Sequence, residues 1–284
     1  MELMILSNPA QVQAQVLAWK RQGLTVGLVP TMGYLHEGHA SLIRRAAAEC
    51  DRVVVSVFVN PTQFGPNEDL ESYPRDLEHD TLLIKECGGN LVFAPQPADM
   101  YGQGTRTWVT VEELTKELCG RSRPIHFRGV ATVVCKLMNI AQPDRAYFGQ
   151  KDAQQLAVIR QMVSDLNMPV QVVGCPIVRE SDGLAKSSRN TYLNAQERQA
   201  ALVLSRSLAE GRKLLEAGTT DTGRVLARIE EVLKSEPLAR IDYVQAVDAD
   251  TIEPVHKVSG NVLFAIAVYI GKTRLIDNFY WTAE

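Results

Sequence analysis

Two rhythms alternate along the first 175 residues. Short apolar, β-branched runs predict buried strands, and stretches whose apolar residues return every three or four positions predict amphipathic helices. Asn8 before Pro9 is a helix cap with proline at the first helical position, opening a helix that runs to Gly23. Val26, Leu28 and Val29 then form a strand that breaks at Pro30 and Gly33, and helical spacing resumes from about Gly38 to Glu49. Residues 52–59 are too uniformly apolar for a half-exposed strand and predict a central parallel one. Helices over 75–87, 129–141 and 153–166 alternate with strands over 91–94, 145–148 and 170–175, while 98–128 reads as irregular. Such alternation predicts an α/β fold, a Rossmann-like doubly wound parallel sheet with right-handed crossovers.

After Val178 the pattern changes. A polar loop, 180–190, turns at Asp182-Gly183. Asn194 with Glu197 makes a capping box for a helix reaching Gly218, and a second amphipathic helix covers 221–235. Strands are predicted over 241–248, 262–270 and 273–279, the last two joined by a hairpin turn at Gly271-Lys272. The expectation is therefore two domains: 1–178, Rossmann-like and binding, and 179–284, a smaller α+β unit.

Composition narrows the class. The chain has 284 residues, 45% hydrophobic and 22% charged, as expected of a globular protein with a sizeable core. A net charge of −3 argues against a nucleic-acid partner, which calls for a strong basic bias. Cys50, Cys87, Cys119, Cys135 and Cys175 are scattered, odd in number and without a Cys-x-x-Cys, which suits reduced thiols. With no signal pattern and no apolar stretch of membrane-spanning length, a cytoplasmic location and no membrane partner are expected.

The chemistry concentrates where the second strand ends. His36-x-Gly38-His39 falls at a predicted strand-to-helix turn, outside the carboxyl end of a strand, where open parallel sheets bind ligands. A helix start there offers unpaired N–H groups and a positive dipole end to an anion. Three accounts of the histidines compete: structural loop residues, a zinc site, or a phosphate cradle. Zinc is disfavoured, because the spacing is one residue short of His-Glu-x-x-His and no Cys, third His or carboxylate sits at ligand spacing nearby. A P-loop is excluded, since Gly-x-x-x-x-Gly-Lys-Ser/Thr does not occur.

Further segments weight the balance. Val29-Pro-Thr-Met-Gly33 precedes His36-Glu-Gly-His39, and Val57-Phe-Val-Asn-Pro61 precedes Gln63-Phe64. Tyr73-Pro-Arg75, Arg123-Pro124 with His126-Phe127, and Gly149-Gln-Lys-Asp152 with Gln154-Gln155 follow. Asp182-Gly-Leu-Ala185, Ser187-Ser-Arg-Asn190 and Arg274-Leu-Ile-Asp-Asn278 complete the set. In this order and spacing, across almost the whole chain, they strongly resemble the pantoate–β-alanine ligases, or pantothenate synthetases, of the His-x-Gly-His nucleotidyltransferase superfamily.

The resemblance implies a homodimeric ligase that uses ATP and Mg²⁺ to join (R)-pantoate and β-alanine through pantoyl adenylate, releasing AMP and pyrophosphate. It implies catalytic roles for His39 and Lys151, and an ATP site of Met32, Gly33, Tyr34, Leu35, His36, Glu37, Gly38 and His39. Gly149, Gln150, Lys151, Asp152, Val178, Lys186, Ser187, Ser188 and Arg189 extend that site. Gln63, Gln155, Asn60, Arg123 and His126 would receive pantoate or β-alanine, and Asp80 is the candidate metal ligand. The C-terminal domain would act as a lid.

Three positions depart from the family pattern. Lys186 stands where an apolar residue is common, which makes this loop similar to the lysine–serine loop of class I aminoacyl-tRNA synthetases. His79-Asp80 stands for an acidic pair, and Thr62 for a methionine. The alternatives are another His-x-Gly-His nucleotidylyltransferase acting on a small phosphorylated substrate, which would not need the amides at 60–63 and 154–155, and a non-catalytic nucleotide sensor.

Overall fold

The computed structural model describes residues 3–66 and 68–283. The chain divides into two compact units. Met1–Val111, Arg123–Gln150 and Val158–Pro176 form the first; Glu112–Ser122, Lys151–Ala157 and Ile177–Glu284 form the second. The expected boundary at 178/179 thus moves to Pro176/Ile177, and two short inserts join the second unit. Their allegiance comes from hydrogen bonds to residues distant in sequence, such as Leu118 N–H to Gln245 Oε1 at 3.1 Å, which no local pattern announces.

Strands β1 (Met4–Leu6), β2 (Val26–Thr31), β3 (Arg52–Val57), β4 (Leu91–Phe93), β5 (Arg145–Gly149) and β6 (Gln171–Cys175) build the first unit. They form one parallel sheet in the order β1-β4-β3-β2-β5-β6. The Rossmann-like doubly wound sheet expected from the sequence is what the chain makes. The edge strand β1 escapes the pattern because three residues are too few to show a period.

The helices in chain order are α1 (Pro9–Arg21), α2 (Glu37–Glu49), α3 (Leu77–Glu86), α4 (Pro97–Met100) and α5 (Leu118–Ser122). They continue with α6 (His126–Ala141), α7 (Ala153–Asp165), α8 (Ala195–Ala200), α9 (Leu202–Glu216) and α10 (Thr222–Lys234). Two short helices, α4 and α5, therefore lie in the stretch expected to be irregular. The helix expected from Asn194 to Gly218 is broken at Ala201, whose carbonyl accepts the N–H of Leu204, three residues on. The Asn194/Glu197 capping box itself forms.

Both faces of the central strands are buried. Val29, Val53 and Val55 pack with Ala40, Ile43 and Ala46 of α2 and with Ile84 of α3. Leu28 and Val54, which point the other way, are no more than 1% exposed. This two-sided burial is why 52–57 carries no polar alternation. At β2 the strand order switches direction: β3 and β4 lie on one side, β5 and β6 on the other. A switch point of this kind leaves a crevice at the carboxyl ends of the strands.

In the second unit β7 (Ala239–Asp248), β8 (Asn261–Ile270) and β9 (Thr273–Thr282) form an antiparallel sheet with β8 central. Leu204 and Leu208 of α9 and Val225, Ile229 and Leu233 of α10 close its apolar core with Phe264, Ile266 and Val268. Gly271 makes the β8–β9 turn at φ +58°, a conformation that suits glycine.

Candidate active site

The turn between β2 and α2 lies at the switch point. It uses two successive left-handed residues, Gly33 at φ +86° and Tyr34 at φ +51°. Gly33 is required there, since a Cβ would also stand 3.0 Å from Asp80 Oδ2 and Val57 Cγ1. Asp80, entirely buried, accepts the Tyr34 N–H at 2.8 Å and the Leu35 N–H at 2.6 Å. Burial pushes its carboxyl above the ordinary range against the pull of those two N–H groups. Asp80, expected as a metal ligand, thus spends both oxygens on the turn. Among the described residues no cluster of three or more His, Cys, Asp or Glu is placed to hold a metal ion.

His36 caps α2. Its Nδ1 accepts the Gly38 N–H at 3.1 Å, while His39 Nδ1 accepts the His36 N–H at 3.3 Å. A backbone N–H can only donate, so both Nδ1 atoms are acceptors and each neutral ring carries its proton on Nε2. The rings lie 4.2 Å apart at 38°. Glu37 is exposed and ion-paired with Arg44.

A second polar turn follows β3. Asn60 (1% exposed), Gln63 (7%) and His126 (9%) are brought together there. Asn60 Nδ2 donates to Gln63 Oε1 and to the Gly129 carbonyl, both at 3.1 Å. Gln63 Nε2 lies 3.2 Å from Met32 Sδ, and the Gln63 carbonyl accepts from His126 Nδ1 at 3.0 Å. Gly129 lets α6 come this close, since a Cβ there would meet the Thr62 carbonyl oxygen at 2.4 Å. That contact also explains a glycine inside a helix that starts at His126, earlier than expected.

Arg123 makes a two-toothed ion pair with Glu68, both bonds 2.6 Å. Asn60, Arg123 and His126, expected to face pantoate, therefore contact Gln63 and its loop. Thr62, at a position that departs from the family pattern, donates its hydroxyl to Asn60 Oδ1 at 3.0 Å. Gly149, at the end of β5, has open space where a Cβ would stand. Gln150 follows it as the last residue of that part of the first unit.

The remaining expected residues belong to the second unit. The Lys151 carbonyl accepts from Asn278 Nδ2 at 2.8 Å, and its ammonium lies 3.4 Å from Asp152. Asp277, 2% exposed, holds Arg179 through bonds of 2.7 and 2.9 Å. Lys186 N–H donates to the Val178 carbonyl at 2.9 Å, which joins Val178 to the Lys186–Arg189 segment. Ser187 caps the short 3-10 helix that carries Ser188 and Arg189, while Lys186 Nζ stands 3.9 Å from Glu180. Gln155 is half-buried, and its neighbour Gln154 is the amide bonded to Leu114 and Glu117.

Sequence reasoning gave no part to Tyr101, Glu68 or Glu180. Asp277 and Asn278 carried a signal of their own: an acid–amide pair inside a strand that is otherwise largely apolar.

Known proteins agree with this architecture. The family model described as pantoate-beta-alanine ligase matches residues 4–280. A pantothenate synthetase of Heliobacterium modesticaldum is 61% identical over 268 residues, covering 93% of this chain and 95% of that protein. One from Ruminiclostridium cellulolyticum is 59% identical, with 95% of each chain covered. The crystal structure of the Thermus thermophilus pantothenate synthetase superposes with a TM-score of 0.93 at 47% identity, over 98% of this chain and 99% of that one. A Francisella tularensis pantoate-beta-alanine ligase, complexed with beta-gamma ATP and beta-alanine, superposes with a TM-score of 0.80 at 34% identity, over 98% and 97%. With its family model matched almost end to end, the chain belongs to the pantoate–β-alanine ligases.

Proposed function

We propose that the chain condenses (R)-pantoate with β-alanine in two steps at the expense of ATP. The pantoate carboxylate attacks the α-phosphorus, forming an O–P bond as the bond to pyrophosphate breaks. The amine of β-alanine then attacks the acyl carbon of pantoyl adenylate, giving the amide, AMP and a proton. No protein nucleophile is needed, so the protein's share is positioning and charge stabilisation.

One observation carries this reading. Both ring Nδ1 atoms accept backbone N–H groups at the start of α2, which makes the His36 and His39 Nε2–H groups preorganised donors beside the switch point. We assign them to the phosphates, with His39 meeting charge on the reacting group. Lys151, Lys186, Ser187, Ser188 and Arg189 neutralise the triphosphate, and Gly149 and Val178 line the adenosine. Gln63 and Gln155 receive pantoate. Magnesium enters with the nucleotide, since octahedral Mg²⁺ commonly keeps phosphate and water ligands. The working form is a cytoplasmic two-fold dimer in which the C-terminal domain, 179–284, serves as a lid; light scattering should give twice 31.4 kDa.

The deciding experiment is exchange of labelled pyrophosphate into ATP. It should require ATP, Mg²⁺ and pantoate and proceed without β-alanine. A nucleotidylyltransferase would exchange only with its phosphorylated substrate, and a sensor not at all. Exchange that ignores pantoate or demands β-alanine would defeat the two-step route.

A further inference from the structure

The Asn60–Gln63 turn contains a hydrogen-bond chain whose direction can be read from groups that have no choice of role. Asn60 Oδ1 lies 3.4 Å from the Thr62 N–H, which can only donate. Asn60 Nδ2 lies 3.1 Å from the Gly129 carbonyl, which can only accept. These two contacts set which end of the Asn60 amide is which. Its Nδ2 is then also the donor to Gln63 Oε1, so Gln63 has its oxygen turned inward and its Nε2 turned away from Asn60.

Tyr101 stands behind this arrangement. Its hydroxyl donates to Asn60 Oδ1 at 2.8 Å, the shortest bond of the set, and lies 3.2 Å from Thr62 Oγ1. The ring is stacked on Trp108 at 6.3 Å and 22°, with Lys136 Nζ 5.7 Å from its centroid. Burial pushes the phenol above its ordinary range, so it remains a protonated donor at neutral pH. Gln63 Nε2 meets Met32 Sδ, and a thioether is a weak acceptor. An anionic or hydroxyl oxygen would be a much better one.

We propose that Tyr101 is a positioning residue which, through Asn60, fixes the Gln63 amide as a donor towards the oxygens of the acid substrate. This rests on the assignment of Gln63 to pantoate made above. Gln63 is then read by the substrate with one polarity only, and an acceptor in its place is a mismatch.

A double-mutant cycle on the KM for pantoate, with ATP and β-alanine saturating, tests the chain of bonds. Gln63→Ala tests the premise: a rise of about ten- to a hundredfold is expected for a lost bond to a charged group. An unchanged value would overturn the assignment of Gln63, and with it the proposal. Tyr101→Phe keeps the ring and should raise the pantoate KM about three- to tenfold, leaving the KM for ATP as it was.

In the Gln63→Ala background, Tyr101→Phe should add nothing further. A full multiplicative effect there, or an equal rise in both KM values, would overturn the relay while leaving Gln63 assigned. Gln63→Glu, of the same shape but acceptor-only when ionised, should lose pantoate at least as badly as Gln63→Ala; near-parental use would overturn the stated polarity. Should Tyr101→Phe fail to fold, Thr62→Val removes the other hydroxyl donor to Asn60 and supports the same comparison.

Discussion

Asp80 Oδ1 accepts the backbone N–H of Leu35 at 2.6 Å, so a side chain from α3 holds the backbone one residue ahead of His36. Its other oxygen takes Tyr34 N–H. Asp80→Asn sets two effects against each other. The amide relieves a buried charge, but with one acceptor oxygen it leaves one N–H facing an NH₂ group. An orphaned buried donor costs about 1–3 kcal/mol, concentrated in the turn. Turnover should fall at least tenfold while the thermal midpoint drops only a few degrees; parental turnover would separate Asp80 from the histidines.

His39 yields a sharper expectation. Losing one preorganised donor to developing charge costs on the order of 10²–10³ in turnover. His39→Ala should fold, bind pantoate and barely form the adenylate. Single-turnover assays that find adenylate formation within threefold of the parent would refute the assignment.

Gly129→Ala should act on pantoate without touching any substrate-facing side chain. Its new Cβ would fall 2.6 Å from the Thr62 carbonyl carbon and 2.7 Å from Gln63 Cα, both backbone atoms that cannot swing aside. Overpacking of this kind costs about 1–3 kcal/mol and displaces the turn that carries Gln63. The pantoate KM should rise and the ATP KM stay level. A crystal structure of the variant with an unmoved 60–63 turn would contradict this.

The Glu68–Arg123 pair gives a pH dependence with a definite sign. Burial raises the Glu68 carboxyl, yet the hydrogen bonds and charge of Arg123 outweigh it and leave the group below its usual 4.5. A depressed folded value means the pair stabilises fully above about pH 4.5 and its contribution is lost as pH falls through that lower value. Glu68→Gln should therefore lower the thermal midpoint at pH 7 and converge with the parent under strong acid. Parallel curves across the acid range would show that the pair carries no linkage.

The chain's local chemistry determined a great deal. Two-sided burial forced Val53, Val54 and Val55 to be apolar in succession, and proline, glycine and capping residues marked where most elements stop and start. The strands and helices of both units were legible because the period and caps of each element lie within it, although the strand pairings themselves reach far along the chain, as from Gly27 to Arg145. The place of His36 and His39, at the start of α2 just beyond the end of β2, was legible because motif and strand end coincide. What distant contacts decide was not. The pattern of 112–122 says nothing of its bonds to Gln245 and Gln154, so its place in the second unit was invisible. What Asp80 holds was not legible either: beside its neighbour His79, 3.5 Å away, its carboxylate takes N–H groups 45 and 46 residues away. Tyr101 lay in a stretch without periodicity, and only the packing of α6 against the Thr62–Gln63 backbone brings Asn60 between Gly129 and that phenol. A hydrogen bond's direction depends on which groups meet, and for this turn the tertiary structure alone makes that choice.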